Sequence, residues 1–348
     1  MSDKLLIERT TLENISKAIN YAYYGDENNN KTYSTSSMQN VIRSLRDVIK
    51  YEVASDLSQN VIVNGIRYSL NGDASYTCEG LADNSQTNVE IVDYIGTSGN
   101  FKVTGLAEKA FNSTGIKTAV VSGNIVLDGT TTRHFGWSKS LNRVVLEEGF
   151  TRISTMMFDG CPALTSIKLP TTLVRIDDCA FKGSGVKNLV IPNNVSFIDK
   201  SAFATKSLKR VYLGSGMQGV YTEAFEANAS NTSENVTNIY VPWSEGNNFS
   251  TIPANAEIKY NCVLDENGLV YAPSGDEYIC VLCDERVPDV VIAEKINGKS
   301  VKGIGADAFL NCKSLVSITV PSSVEAIGTY AFTGCDNLTD IYLDSPKN

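Results

Sequence analysis

The sequence is most informative first through what it has little of. It contains a single histidine, His134, in 348 residues. That count removes Ser-His-Asp triads with a spare histidine, multi-histidine metal sites and most histidine-dependent acid–base schemes. Positive charge is also short: 30 Lys and Arg face 39 Asp and Glu, for a net charge of -9. With no basic run to offset that sign, binding to a phosphate backbone is disfavoured and no nucleic acid is expected as a partner. No apolar stretch approaches the ~20 residues of a membrane span, so membrane insertion is not expected. The first 30 residues hold only Leu5-Leu6-Ile7 as an apolar cluster, too short for the core of a signal peptide, which points to synthesis and assembly in a cytoplasm. Eight cysteines are far too few for a disulfide scaffold and read as thiols.

What the chain has instead is a period. Phe111, Phe135, Phe158, Phe181, Phe203 and Phe225 follow one another at intervals of 24, 23, 23, 22 and 22 residues. A small or apolar residue usually precedes each (Ala110, Met157, Ala180, Ala202, Ala224), with His134 the exception. An aliphatic residue follows five or six positions on, then an alternating segment such as Ser166-Ile167-Lys168-Leu169-Pro170. A second, shorter series holds Ala308-Phe309 and Ala331-Phe332. Alternation puts Ile167 and Leu169 inward and Lys168 outward, and the proline ends the strand. No single turn of this length buries its own apolar side, so the turns must stack at about 4.8 Å into a solenoid.

The pattern resembles the BspA-type leucine-rich repeat of bacterial surface proteins and phage proteins. It is carried by Leu164, Ile167, Leu169-Pro170, Leu173, Ile176 and Ala180-Phe181, and covers about residues 100–241 and 301–343. The run Ile239-Tyr240-Val241-Pro242-Trp243, continuing to Ile258-Lys259-Tyr260-Asn261, resembles the segment that closes such arrays in phage-encoded members. Two β-like segments, Gly65 to Asp73 and Gly268 to Asp276, echo one another about 40 residues before each array and predict hairpin caps.

The N-terminal 50 residues have a helical period instead. Leu12, Ile15, Ala18 and Ile19 share one face, and Met38, Val41, Ile42, Leu45, Val48 and Ile49 another. The expected fold is therefore mainly β: a leucine-rich-repeat solenoid of two arrays, each preceded by a β-hairpin cap, with a short N-terminal α-helical hairpin. The expected boundaries are 1–60 for the helical hairpin, 61–110 for the first cap and 111–261 for the first array with its closing segment. The second cap follows at 262–308 and the short second array at 309–348. Leu12, Ile15, Ile19, Met38, Ile42 and Leu45 are the candidate attachment or oligomerisation residues, since the hairpin resembles a short module of phage tail-associated proteins.

Chemistry-bearing residues are sparse. Cys161, Cys312 and Cys335 each lie three residues after a repeat Phe and read as small buried repeat residues. Cys280-Val-Leu-Cys283 lacks a second pair, and in a regular strand its sulfurs point to opposite faces, so no metal is expected. Acidic pairs such as Asp177-Asp178 and Glu147-Glu148 read as solvating loop charge. No catalytic residue and no cofactor are predicted; a glycan hydrolase needs paired carboxylates in a groove, which a regular repeat face does not offer. The outward strand positions form two columns: Thr118, Arg143, Ser166, Asn188, Arg210, Asn238, and Val120, Val145, Lys168, Val190, Tyr212, Tyr240. Arg143, Lys168, Arg210, Tyr212, Tyr240 and Trp243 are the candidate ligand-binding residues, tyrosine and arginine being favoured at binding surfaces. The expected role is a non-enzymatic binding protein on a phage tail or virion surface. Its expected partners are a host-surface glycan or protein, other particle proteins and sister copies, a trimer by the tail-protein resemblance. A BspA-type bacterial surface adhesin is the alternative.

Overall fold

The computed structural model describes residues 60–344, apart from 74, 96–100, 128–131, 222, 226–235, 246–255 and 285–287. The chain divides into two units, one of Met1–Leu57 with Tyr94–Asn100 and one of Ser58–Asp93 with Phe101–Asn348. Everything that follows concerns the second. Among the described residues there is no helix, which corrects the expected mixed architecture: the fold is strand and turn. The segment read as a helical hairpin, with its attachment candidates Leu12, Ile15, Ile19, Met38, Ile42 and Leu45, lies outside the described residues, as does the insertion Glu226 to Asn235. Its expected last residue, Asn60, instead opens strand β1 (Asn60–Val63), which pairs antiparallel with β2 (Ile66–Leu70). Asn64 and Gly65 between them both have positive φ (50° and 73°), the geometry of the tight Asn-Gly hairpin turn. That dipeptide was the overlooked signal.

Each array begins on a three-strand cap. In the first, β2 pairs antiparallel with β3 (Tyr76–Leu81), which pairs parallel with β6 (Phe101–Leu106). In the second, β18 (Val263–Leu264), β19 (Leu269–Ser274) and β20 (Glu277–Cys283) run antiparallel, and β20 pairs parallel with β23 (Lys299–Ile304). The repeat strands of the first array form two parallel sheets on one side. One is β4 (Asn88–Ile91), β7 (Thr118–Val121), β8 (Arg143–Leu146) and β10 (Ser166–Lys168); the other is β12 (Asn188–Val190), β14 (Arg210–Tyr212), β16 (Asn238–Tyr240) and β17 (Glu257–Lys259). The closing segment is β17, added in register to the edge of β16. A second, narrower ribbon of two-residue strands, β9 (Arg152–Ile153), β11 (Arg175–Ile176), β13 (Phe197–Ile198) and β15 (Gly219–Val220), runs continuously past the break between β10 and β12. The second array stacks β21 (Asp289–Val291), β24 (Ser317–Val320) and β26 (Asp340–Leu343).

Inside, the six phenylalanines of the first array form a ladder. Successive ring centroids lie 5.1, 5.6, 5.3, 5.2 and 5.6 Å apart, with interplanar angles of 7–25°. All six rings are buried. The backbone follows the same ladder: each Phe N–H donates to the carbonyl of the residue preceding the next Phe, as Phe158 to Ala180 (2.8 Å) and Phe181 to Ala202 (2.7 Å). Alanine fills the place before the Phe in most turns, and Met157 and His134 occupy it as fully buried side chains. His134 takes this place by turning its ring into the core, where its Nδ1–H donates to the Ala107 carbonyl (2.9 Å). It is fully buried.

Charge is stacked too. Asp177, expected in solvent, is buried and receives the guanidinium Nε of both Arg152 (2.6 Å) and Arg175 (2.7 Å), while Arg175 also reaches Asp199 (2.7 Å). Arginine and aspartate thus alternate across three neighbouring turns. Glu148 likewise accepts bonds from Thr171 and Thr172 of the next turn.

Two outcomes follow. Phe181→Ala removes a ring sandwiched on both sides and should destabilise the protein by about 3–5 kcal/mol in a denaturant titration; a loss under 1 kcal/mol would mean that the ladder relaxes around the gap. Burial holds the His134 imidazole below its ordinary pKa, against smaller raising effects of the Ala107 bond and of Glu108. The unfolded chain therefore binds the extra proton more readily, so this contribution is full above about pH 6.5 and is lost as pH falls below it. The stability–pH curve should slope down below that point, and His134→Gln should flatten it.

Candidate functional site

The outward columns of the strand side do not form one open face. Over the first sheet, Arg143 is exposed, and Thr118, Val120, Val145 and Lys168 are half-buried. Over the second sheet the corresponding positions are covered: Val190, Tyr212 and Tyr240 are buried, at 5%, 2% and 5% exposure. What covers them is the second cap. With Cys262 they form a core with Val270, Ala272, Val281 and Leu282, flanked by Leu264 and Ile279.

An irregularity in β20 makes this contact. The β19–β20 register shifts between Val270 and Tyr271, a β-bulge that breaks the strict alternation of the strand. Tyr278, Cys280 and Cys283 point into the core of the second array, whereas Ile279, Val281 and Leu282 point at the first. Cys280 and Cys283 therefore share one core, contrary to the expectation from regular alternation. The bulge is invisible to a period-2 reading because it adds a residue to that period.

Polar bonds fix the same seam. Arg210, on the first array, reaches the Asp307 carboxylate of the second (3.0 Å), and the Asn188 side-chain amide donates to the Asp307 carbonyl (3.3 Å). A cavity of about 20 Å³ beside Asn188 is lined by Ile167, Leu169 and Leu189 from one array and by Cys283, Leu310 and Cys312 from the other. It sits at the break between β10 and β12, where the second array enters the first. Burial pushes the Tyr240 hydroxyl and the Cys262 thiol each up to about 12, and raises Tyr212 further.

The structure thus separates the six candidate ligand-binding residues. Arg143 and Lys168 lie together on β8 and β10, which are directly paired, and are reachable from solvent. Arg210, Tyr212 and Tyr240 belong to the seam between arrays. Trp243 is half-buried beyond β16, its carbonyl accepting from Asn261 N–H (3.0 Å). Among the described residues no cluster of three or more His, Cys, Asp or Glu side chains is arranged to hold a metal ion. The thiols act structurally: Cys161 donates to the Phe135 carbonyl (3.2 Å) and Cys335 to that of Phe309 (3.0 Å), the bond that Ser138 makes to Phe111 (2.7 Å) one turn earlier.

The repeat geometry agrees with a family model. The BspA type leucine rich repeat region matches in six copies over residues 104–232 and 292–348, more than half of the chain. The chain belongs to this BspA-type leucine-rich repeat family. No curated protein matches the sequence. Three solved structures of leucine-rich repeat proteins are similar to this BspA-type chain. One is a leucine-rich cell surface protein from Faecalibacterium prausnitzii, 21% identical, covering 83% of this chain and 77% of that one, with a TM-score of 0.42. Another, from Bacteroides ovatus, is 18% identical with 82% and 76% covered and a TM-score of 0.40. The third, from T. pallidum, is 18% identical with 80% and 90% covered and a TM-score of 0.35.

The seam between the two BspA-type arrays can be opened by one charge. Leu282→Asp puts a carboxylate among Tyr212, Tyr240 and Val281, where it has no partner. Cys262 should then label with a thiol reagent at pH 8 at least tenfold faster than in the wild type, read by peptide mass spectrometry. Equal labelling in a folded variant would mean that the second cap is not what protects it.

Proposed function

We propose that this BspA-type repeat protein is a non-enzymatic recognition protein of a phage or phage-like particle, tail-associated or on the virion surface, contacting a host cell surface through its repeats. One observation carries the binding reading: the sheet β4–β7–β8–β10 holds a charged and aliphatic row, with Arg143 and Lys168 on adjacent strands, on a backbone that the Phe ladder keeps rigid. A flat, rigid face with side chains at regular spacing suits an extended macromolecule, because little conformational freedom is lost on binding. A host glycan or surface protein is the proposed partner.

The particle reading is supported by the closing segment, whose resemblance to phage-encoded arrays runs through Trp243 to Asn261 and which adds β17 to the array. Contact with other particle proteins and self-association, as a trimer, complete the proposal. The outermost strand β26 supports self-association, since Ile341, Tyr342 and Leu343 are 57%, 56% and 73% exposed. The second reading is a bacterial cell-surface adhesin, which family membership favours equally.

Mass spectrometry of purified particles, culture supernatant and washed cells from a producing strain separates the two. Peptides of this chain co-purifying with particles support the virion reading. Peptides confined to washed cells overturn it in favour of the adhesin.

A further inference from the structure

The turn after Phe135 departs from its neighbours at one position. The residue two places after the repeat Phe adopts a left-handed backbone in several turns, at Ser113 (φ 57°), Gly160 (68°), Gly183 (66°), Asn311 (61°) and Gly334 (77°). Glycine, and to a lesser extent asparagine, fit that conformation readily. At 137 the residue is tryptophan, with φ 59°. A large side chain is out of place there, and this one is 49% exposed. Half of the indole is left open to solvent, where it is available to a ligand.

Its seat is prepared. On one side the indole closes onto Gly160 of the next turn, where a Cβ would come within 2.9 Å of ring atoms Cδ2 and Cε3. On the other side lies a shallow, open cleft lined by Trp137, Lys139 and Ser140 with Ser113, Thr114 and Gly115 of the preceding turn. Gly115 leaves the floor open: a Cβ there meets nothing within 4 Å. Lys139 is exposed and makes no ion pair among the described residues. The lining offers one aromatic wall, hydroxyls and one ammonium, and no carboxylate.

We propose that this cleft binds a sugar unit of a surface glycan, its ring stacked on Trp137, its hydroxyls on Ser113 and Ser140, and Lys139 serving an acidic substituent. A pyranose presents a face of C–H groups to the electron-rich face of an indole and a rim of hydroxyls to polar neighbours. A quaternary cation is the poorer match, since it is held by several aromatic rings rather than one beside an ammonium. The proposal deepens the recognition reading by naming the ligand class, and it places the site on the edge of the second Phe turn, away from Trp243 and the seam.

The test is a printed array of chito-oligosaccharides and neutral and acidic bacterial polysaccharides probed with the full chain, followed by calorimetric titration of the strongest oligosaccharide. Trp137→Ala should weaken that titration at least tenfold. Gly115→Arg should do the same by filling the cleft from a position that tolerates a side chain, so a folding defect in the first variant leaves the second decisive. Lys139→Ala should weaken acidic glycans about threefold or more and neutral ones little. Affinity within twofold of wild type in folded Trp137→Ala and Gly115→Arg overturns the site, as does loss on Trp243→Ala alone. No array binding by a chain that still decorates intact cells also overturns it, while leaving the recognition reading in place.

Discussion

Everything described depends on the stacking of one turn on the next. A turn of 22–24 residues has too little interior to pay for its own order. The Phe ladder supplies that interior, with centroids 5.1–5.6 Å apart, close to the spacing of hydrogen-bonded strands. Ring stacking and main-chain bonding therefore ask for nearly the same rise. The residue before each Phe, the hydroxyl or thiol three residues after several of them and the Arg–Asp alternation all depend on contacts that this rise brings together. Most of these bonds cross from one turn to the next, the Arg175–Asp177 and Thr114–Phe111 bonds being made within a turn.

The second array changes what that stack presents. A two-turn array has little core of its own, and it obtains more by docking its cap on the last turns of the first. The tyrosines that looked like a recognition surface are spent in this contact. Solvent-facing tyrosine and buried tyrosine look alike when a strand position is read only as outward, because outward from one array is inward to another.

The periodic part of the fold was legible because stacked repeats force the same residue types to recur. Core phenylalanines and strand alternation could be placed from spacing, whereas the closing segment was read from its resemblance to phage-encoded arrays and the caps from two segments that echo one another. The failures share a cause in contacts between segments far apart in sequence, or in single departures from the period. Asp177 looks like solvated charge until Arg152 arrives from the preceding turn to join Arg175, two residues away. The bulge in β20 leaves no mark on composition, yet it reverses which cysteines share a core. Trp137 is a different failure: its mark was present, a tryptophan where other turns carry glycine, asparagine, serine or threonine, but its meaning needed the structure.

The bulged strand has a consequence for how such a protein can evolve. Solenoids commonly gain and lose whole repeats, since each contacts only its neighbours. Here β20 belongs to two cores, and its seat on the first array is fixed by Arg210, Tyr212 and Tyr240. Adding or deleting a turn between the break and the closing strand would move that seat by roughly 4.8 Å, out of register with the cap. The number of turns between the break and the closing strand is therefore set by the second array, and length variation is confined to turns on the far side of the break.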